Sequence, residues 1–172
     1  METIGHIIGF CALILIFISY QIHDKKKLIL IQTISTTLVC IQYILIGAYS
    51  GFALNIVCII RNIIFYNRDK KFFSSLFFPI FFACVIPLIS LLSWDGYYSI
   101  FIVIGLMINT ICLGICSAQN LRIASLLCCT LIIIYNVCAH SYSGIVNETV
   151  TIISSIIGIF RYVRLQNSTK AK

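Results

Sequence analysis

Residues 4–27 read IGHIIGFCALILIFISYQIHDKKK, an apolar stretch that ends in three consecutive lysines. A helix that crosses a bilayer needs roughly 20 apolar residues in succession, and residues 4–22 supply such a run. The lysines follow the run, whereas a cleaved signal peptide carries its positive charge before the apolar segment. The stretch therefore predicts a first membrane-spanning helix with its N-terminus outside and the lysines inside.

The composition of the whole chain extends this interpretation. Of its 172 residues, 60% are hydrophobic and 10% are charged. A soluble domain carries about 45–50% apolar and about 25% charged residues, so this chain has too few polar side chains to coat a water-soluble globule. The apolar residues also occur in long runs that use up the chain and leave no room for a separate soluble domain.

Six further apolar runs follow the first, and short segments with turn-forming residues separate them. The predicted fold class is an all-α membrane protein with seven transmembrane helices. The predicted spans are residues 4–22, 28–48, 52–66, 72–92, 97–116, 121–139 and 145–163. The third span is the shortest, and its helix is expected to start before residue 52 or to run past residue 67.

Lysine and arginine accumulate in cytoplasmic loops, so their positions predict the orientation of the spans. With seven spans, the N-terminus and the loops after spans two, four and six share one side, and that side has no basic residue. Eleven of the 12 basic residues fall on the other side, and the twelfth, Arg61, lies inside span three. Six or eight spans would scramble this segregation. The prediction is an outside N-terminus and a cytoplasmic C-terminus.

A shift of 93 residues, from residue 49 to residue 142, brings the chain into register with itself. Segments 49–51 and 142–144 both read Tyr-Ser-Gly, and the other matched pairs are Asn55 with Glu148, Asn62 with Ser155, and Arg68 with Arg161. The expected plan is two parallel three-helix repeats joined by one linker helix (3+1+3). Its parts are residues 1–71 for the first repeat, 72–96 for the linker, 97–164 for the second repeat and 165–172 for a cytoplasmic tail.

Two segments carry a family resemblance. Residues 47–65, GAYSGFALNIVCIIRNIIF, place a glycine-rich turn before a helix with an asparagine and then an arginine, and residues 144–164 carry Glu148 early and Arg161 late. Both resemble signatures of the YgjV family of bacterial inner-membrane proteins, whose repeat plan is similar to that of SWEET and PQ-loop transporters. The resemblance implies the bacterial cytoplasmic (inner) membrane and a transporter-like architecture. The chain departs from the PQ-loop pattern, because residues 19–21 are Ser-Tyr-Gln where a Pro-Gln pair would stand and the six repeat helices have no proline.

Five polar residues inside the predicted spans form the candidate site. An ionisable side chain in a span is costly, and by default it indicates function. Arg61 lies ten residues past Gly51, and so roughly 15 Å deep, near the middle of the hydrocarbon. Residues 55 and 62 share one helix face, and residues 148 and 155 repeat their spacing. The predicted substrate-binding residues are Asn55, Arg61, Asn62, Glu148 and Ser155.

Each of these residues also has a structural interpretation. Arg61 either faces a cavity and binds a carboxylate, phosphate or polar group, or it reaches toward the headgroups or ties helix ends together. Glu148 either pairs with Arg61, accepts a proton or contacts substrate, or it stabilises the N-terminus of its helix. The matched polar faces either line a central pathway or supply interhelical hydrogen bonds. The functional interpretations imply a small polar or anionic solute.

Other function classes lack their motifs. The chain has no catalytic triad, HExxH motif, phosphate loop or paired carboxylates, so neither enzyme activity nor a cofactor is predicted. The nine cysteines fall in apolar spans without metal-ligand spacing, so no metal is predicted. The net charge of +7 is assigned to topology and anionic lipids beside the helix ends rather than to nucleic acid. Two functions remain: a small-solute transporter that alternates access between two bundles, and a non-transporting integral membrane scaffold, sensor or accessory subunit.

Overall fold

The computed structural model describes residues 2–45, 47, 49–90, 96–138 and 140–170. Seven α-helices follow one another along these ranges, and no β-strand occurs in them. The helices are α1 (Glu2–Ser19), α2 (Lys25–Leu45), α3 (Tyr49–Tyr66), α4 (Phe77–Ser90), α5 (Ser99–Ile115), α6 (Ala118–Cys138) and α7 (Tyr142–Lys170). The all-α class is therefore confirmed, and each predicted span overlaps one helix. The third helix starts before residue 52, as expected.

Three helices are long and apolar enough to cross a bilayer. The qualifying segments are Lys25–Leu45, Ala118–Cys138 and, within α7, Gly144–Arg164. The other helices contain shorter apolar segments, namely Ile7–Ser19, Phe52–Tyr66, Phe77–Ile89 and Ser99–Ile115. By length and composition, the chain is thus a helical protein with at least three segments suited to a membrane.

Side-chain caps start the long helices α2 and α6. The Asp24 carboxylate accepts a hydrogen bond from the backbone N–H of Lys26 at 3.0 Å. The Ser117 hydroxyl accepts one from the backbone N–H of Asn120 at 3.3 Å. Asp and Ser satisfy the free N–H groups of a first helical turn well. Both helices therefore begin three residues before the apolar runs that predicted them.

The same two helices end next to residues in the left-handed region. Gly47 follows α2 with a φ of 74°, and His140 follows α6 with a φ of 53°. After α6, the N–H of Ser141 donates to the carbonyl of Asn136 at 2.9 Å, and the N–H of His140 donates to the carbonyl of Val137 at 3.2 Å. This Schellman arrangement satisfies the last carbonyls of α6 and turns the chain toward α7.

The predicted span 72–92 starts too early. α4 begins at Phe77, after a turn in which the backbone N–H of Phe77 donates to the Ser75 hydroxyl at 3.2 Å. Pro79 then falls in the first turn of α4, where a missing N–H group is tolerated. The run of apolar residues continues across this turn, so hydropathy alone does not reveal the start of the helix. Residues 91–95 lie outside the described ranges.

The segment predicted as a cytoplasmic tail, residues 165–172, begins within the last helix. α7 continues to Lys170, beyond the apolar segment that ends at Arg164, and residues 171–172 lie outside the described ranges. A helix satisfies its own backbone groups, so it can leave the hydrocarbon without unwinding. The hydropathy pattern marks the end of the apolar segment rather than the end of the helix.

Large apolar side chains cover the outside of all seven helices, whereas many polar side chains lie inside. Phe10 of α1 is 65% exposed and Phe160 of α7 is 70% exposed. The buried polar residues include Ser19, Gln32, Ser35, Arg61, Asn62, Thr110, Arg122, Ser125, Asn136, Thr151, Ser154 and Ser155. Polar residues that face a bundle interior are typical of helices surrounded by lipid.

Two interhelical contacts position the candidate site. α1 packs against α7 in what we call the α1–α7 seam. Side chains of α3 reach α5 in what we call the α3–α5 seam. Residues 25–27 and 68–71 lie at one end of the bundle, which we call the basic end. An apolar cluster packs the interior of the bundle next to this end. The cluster consists of Leu28, Ile29, Phe65, Phe82, Ile86, Leu113, Ala118 and Leu121.

Candidate functional site

Arg61 lies in α3, five residues before that helix ends at Tyr66, and its side chain is 7% exposed. Its Nη1 donates to the Thr110 hydroxyl of α5 at 3.0 Å. Its Nε and Nη2 donate to the side-chain oxygen of Asn62 at 3.1 and 2.9 Å. Both partners are neutral, and no carboxylate among the described side chains forms an ion pair with Arg61. Neutral dipoles alone therefore hold a buried positive charge at the α3–α5 seam.

The two asparagines of α3 differ in their surroundings. Asn62 is 1% exposed and binds the Arg61 guanidinium directly. Asn55 is half buried, seven residues earlier on the same helix, and so about 10 Å away along the axis. The structure thus joins Arg61 and Asn62 in one cluster and places Asn55 two turns away from it.

The predicted residues of α7 make separate contacts with α6. The Ser155 hydroxyl is buried and lies 2.8 Å from the Ser125 hydroxyl. Glu148 is half buried, accepts a hydrogen bond from the Asn147 amide at 3.1 Å and contacts the Cys129 thiol. Within the described contacts, neither Glu148 nor Ser155 reaches Arg61. Arg61 and Asn62 therefore lie at the α3–α5 seam, and Glu148 and Ser155 lie at the α6–α7 contact. Asn55 lies two turns from the first pair.

The α1–α7 seam contains a polar cluster that the sequence analysis did not single out. The Ser154 hydroxyl donates to the carbonyl of Phe17 at 2.6 Å. The Gln21 amide nitrogen donates to the carbonyl and the hydroxyl oxygen of Ser154, each at 2.9 Å. The Gln21 Oε1 is buried and accepts no hydrogen bond from the described residues. A buried acceptor in this state costs about 1–3 kcal/mol, so the seam holds one unsatisfied acceptor among the described side chains.

Arg122 corrects the sequence analysis, which counts it among the basic residues beside the helix ends. Its side chain is 0% exposed. Its Nε donates to the carbonyl of Tyr20 at 2.7 Å, its Nη2 to that of Ile22 at 2.6 Å, and its Nη1 to the side-chain oxygen of Gln119 at 3.0 Å. A positive charge is favourable beside the carbonyls that end a helix. Arg122 of α6 therefore caps the end of α1 from inside the protein.

Gly158 of α7 makes room for this guanidinium. A Cβ atom at residue 158 would lie 2.8 Å from Arg122 Nε and would collide with the carbonyl oxygen of Tyr20. Cβ atoms essentially never approach non-bonded atoms closer than 3.0 Å. The meeting of α1, α6 and α7 around Arg122 therefore requires glycine at this position.

His23 lies at the same end of the molecule, in the link between α1 and α2. Its ring stacks on Tyr162 of α7 with the ring centroids 5.7 Å apart. Partial desolvation, followed by the positive charges of Arg122 and Arg161, lowers the pKa of the exposed His23 below its ordinary value of 6.5. The structure thus favours a neutral imidazole beside the buried arginine.

A cavity of about 410 Å³ opens at the basic end of the α3–α5 seam. Its charged lining residues are Asp24, Lys25, Lys26, Arg68 and Asp69. The Lys25 ammonium donates to the carbonyl of Gly114 at 3.2 Å, and the Arg68 guanidinium donates to the same carbonyl. None of the five predicted site residues lines this cavity. It is therefore a second polar region, separate from the cluster around Arg61.

Sequence reasoning missed four residues of these clusters: Gln21, Thr110, Arg122 and Ser154. Gln21 carries a usable signal, because it stands where the PQ-loop pattern places its glutamine. Arg122 carries one as well, since it follows the Ser117 cap by five residues and so lies within a helix rather than before it. Thr110 and Ser154 are single hydroxyls among apolar residues, and no local pattern separates them from other interhelical donors.

The comparisons with known proteins bear on the whole chain. No curated protein and no solved structure matches it. A family model, Imp-YgjV, described as a bacterial inner membrane protein, matches residues 3–166. This range contains both seams and the cavity at the basic end, and it confirms the resemblance drawn from residues 47–65 and 144–164. The chain belongs to the Imp-YgjV family of bacterial inner membrane proteins.

Proposed function

We propose that the protein is a small-solute transporter of the bacterial inner membrane, not an enzyme, with a polar substrate site between two three-helix bundles. The observation that carries this proposal is the state of Arg61. Its guanidinium is 7% exposed and its hydrogen bonds go to the neutral side chains of Asn62 and Thr110. A charge in the membrane interior is expensive. An anionic or strongly polar solute would offset that cost through the planar fork of the guanidinium.

The position of Arg61 suits this role. It lies 12 residues from the start of α3 and five from its end, or about 18 Å and 8 Å along the helix axis. Transporters of the repeat type bind their substrates near the midplane, between repeats. The buried Gln21 Oε1 in the other seam would accept a hydrogen bond from the same class of solute. The proposed substrate therefore combines an acidic or strongly polar group with hydrogen-bond donors.

The 3+1+3 plan is part of the proposal, and matched contacts support it. The bond from Arg61 to Thr110 crosses the α3–α5 seam, and the bond from Ser154 to Phe17 crosses the α1–α7 seam. The 93-residue shift carries position 61 onto 154 and position 17 onto 110. Two contacts that join the halves thus occupy equivalent places, as a parallel repeat requires.

Further pairs follow the same shift inside the two halves. The Ser35 hydroxyl donates to the carbonyl of Ala12 at 2.8 Å, where α1 meets α2. A Cβ on Gly105 would lie 3.2 Å from the carbonyl oxygen of Cys128, where α5 meets α6. The helix caps and left-handed residues match as well: Asp24 with Ser117, and Gly47 with His140. These pairs support residues 1–71 and 97–164 as repeats, with α4 as the linker.

The proposed topology has seven spans, an outside N-terminus and a cytoplasmic C-terminus. The basic end would then face the cytoplasm, as the accumulation of lysine and arginine there favours. α4 has 14 residues and covers about 21 Å, so the turns that precede it at residues 67–76 would carry the chain to the headgroups. A short helix of this kind is accommodated by local thinning of the bilayer.

The transport proposal is tested in proteoliposomes with the full chain. Uptake is measured for a panel of labelled carboxylates, phosphorylated compounds, sugars, amino acids and vitamins, with Arg61→Ala as the test variant and the exposed Arg161→Ala as its control. We expect flux of at least one compound, reduced about tenfold or more in Arg61→Ala because a charge-assisted hydrogen bond is lost. Absence of flux across the panel, or equal flux in both variants, would overturn the mechanism.

A second candidate is a non-transporting scaffold, sensor or accessory subunit. The observation that favours it is the Ser125–Ser155 hydrogen bond at 2.8 Å, which together with the Arg61–Thr110 bond uses the predicted polar residues to hold helices together. In that case Arg61→Ala lowers the melting temperature of a protein that carries no solute. The unfolding and uptake assays on the same preparation therefore distinguish the two candidates.

A further inference from the structure

The cavity at the basic end of the α3–α5 seam combines room with positive charge. Its volume of about 410 Å³ falls within the roughly 300–1,000 Å³ of small-molecule sites. Three basic residues and two carboxylates line it. Lys26 forms an ion pair with Asp69, and the Asp24 carboxylate caps the first turn of α2. The Asp69 charge is therefore matched by that of Lys26. Lys25 and Arg68 together with Asp24 leave the lining with one positive charge in excess.

Lys25 and Arg68 converge on a single acceptor. The carbonyl of Gly114, near the end of α5, accepts from the Lys25 ammonium at 3.2 Å and from the Arg68 guanidinium. Arg68 also donates to the carbonyl of Ser74 at 2.9 Å. Ammonium and guanidinium groups carry three and five N–H donors, so the bonds made to the described residues use a minority of them. The positive charges of Lys25 and Arg68 repel each other at this neutral oxygen. Their placement together therefore needs an explanation.

The end of α1 shows that helix capping does not explain why two cations meet at one carbonyl of α5. There a single guanidinium, that of Arg122, reaches the carbonyls of both Tyr20 and Ile22. One cation is thus enough to satisfy the end of α1, whereas α5 has two cations at one carbonyl. Arg122 is also 0% exposed and fills the space around it, while Lys25 and Arg68 are half buried and border an open cavity.

We propose that this cavity binds a phosphate oxyanion between Lys25 and Arg68. A tetrahedral anion offers several oxygens at once, so it can accept from an ammonium and a guanidinium together and remove their mutual repulsion. The oxyanion belongs either to a free phosphate-bearing solute or to a lipid headgroup. The second source is compatible with the partly exposed Tyr66 and Ile115 at the cavity wall, which would face acyl chains. The site does not depend on whether the chain transports anything.

The test uses the full chain in nanodiscs at constant ionic strength. In one arm, discs of neutral phosphatidylcholine are titrated with inorganic phosphate and the melting temperature is followed by circular dichroism. In the other arm, phosphatidylglycerol replaces part of the lipid, and retained lipid is counted by native mass spectrometry. The variants are Lys25→Gln and Arg68→Gln. The controls are Lys27→Gln, an exposed lysine in the same turn of α2 that does not line the cavity, and the exposed Arg161→Gln.

A rise in melting temperature with phosphate identifies a free anion as the source, and a rise only with retained phosphatidylglycerol identifies a headgroup. In either case we expect about tenfold weaker binding in Lys25→Gln and Arg68→Gln, because each loses a charge-assisted hydrogen bond, and unchanged binding in the controls. If either glutamine variant fails to fold, Lys25→Arg is measured instead, and it is expected to keep binding. The proposal is overturned if neither ligand acts on the wild-type protein, or if the cavity variants respond as the controls do.

Discussion

Two buried arginines in this chain have different roles because their partners differ. Arg122 meets backbone carbonyls at the end of α1, so its charge is matched by the negative end of a helix. Arg61 meets two neutral side chains, so its charge is solvated only weakly. Sequence alone identified Arg61, because it interrupts an apolar run. It did not identify the burial of Arg122, because that residue lies four positions into a helix beside a polar link.

At this scale the most specific packing constraint is at Gly158, and we expect Gly158→Ala to destabilise the protein. Alanine favours a helix by about 1 kcal/mol over glycine, but the added methyl must displace Arg122 or the end of α1, and overpacking costs about 1–3 kcal/mol. The net expectation is a loss of up to about 2 kcal/mol in the free energy of unfolding, measured by reversible denaturation in detergent. The control is Ile157→Ala at the exposed neighbouring position, which should change the free energy of unfolding less. A gain in stability from Gly158→Ala would contradict the close approach.

The environment of His23 predicts a pH dependence of stability. Its pKa is lowered in the folded protein by partial desolvation and by Arg122 and Arg161. The unfolded state therefore binds the proton more readily, and stability that is complete above about pH 6.5 is lost as the pH falls through the unfolded-state pKa toward the lower folded-state pKa. Melting temperatures at pH 7.5 and 5.5 should differ less for His23→Gln than for the wild-type protein. Equal slopes for both would exclude His23 as the cause.

At the scale of the elements, the sequence predicted seven helices but placed several boundaries poorly. Hydropathy reports where a segment is apolar, whereas caps decide where a helix begins. α2 and α6 start at the Asp24 and Ser117 caps, before their apolar runs. α4 starts after a turn that lies inside an apolar run. α7 continues past its run to Lys170. The pattern that predicts a span therefore carries little information on its two ends.

The two seams predict a pattern of energetic coupling. Double-mutant cycles for Arg61→Met with Thr110→Val, and for Gln21→Leu with Ser154→Ala, should each give about 0.6–1.7 kcal/mol, the range of interhelical hydrogen bonds in membranes. Unfolding free energies in detergent provide the measurement. The cross pair Arg61→Met with Ser154→Ala joins residues without a shared partner, and its effects should add within about 0.5 kcal/mol. Additive effects in the first two cycles would show that these bonds do not hold the seams.

At the scale of the whole molecule, the sequence predicted the helices but not which of the polar side chains meet. The residues singled out were an ionisable residue inside a span, Arg61, and polar residues with a repeat partner. Of these, Arg61, Asn62 and Ser155 are buried. It could not show which of them meet, because contacts such as Arg61 with Thr110 join residues 49 positions apart in sequence. Nor could it find the cavity at the basic end, which three separate elements create together.

The proposed topology predicts where reporter fusions work. Alkaline phosphatase inserted after Gly47 should be active, because the α2–α3 link would lie outside, and green fluorescent protein fused after the last residue should fluoresce in the cytoplasm. Alkaline phosphatase at the C-terminus should be inactive, and green fluorescent protein after Gly47 should not fluoresce. The physical reason is the lysine and arginine bias of the basic end. An active phosphatase at the C-terminus would mean that the number of spans is even or that the orientation is inverted.

The fit between Arg122 and Gly158 has a historical consequence. In the proposed repeat, positions 122 and 158 correspond to Ile29 and Phe65, both buried in the apolar cluster. A long cation could not have entered the second half while a large side chain stood at 158, since even a Cβ there meets the guanidinium. If the halves descend from one ancestor, positions 122 and 158 did not change independently of each other. Relatives with a bulky residue at the place of Gly158 should then carry a short apolar one at the place of Arg122.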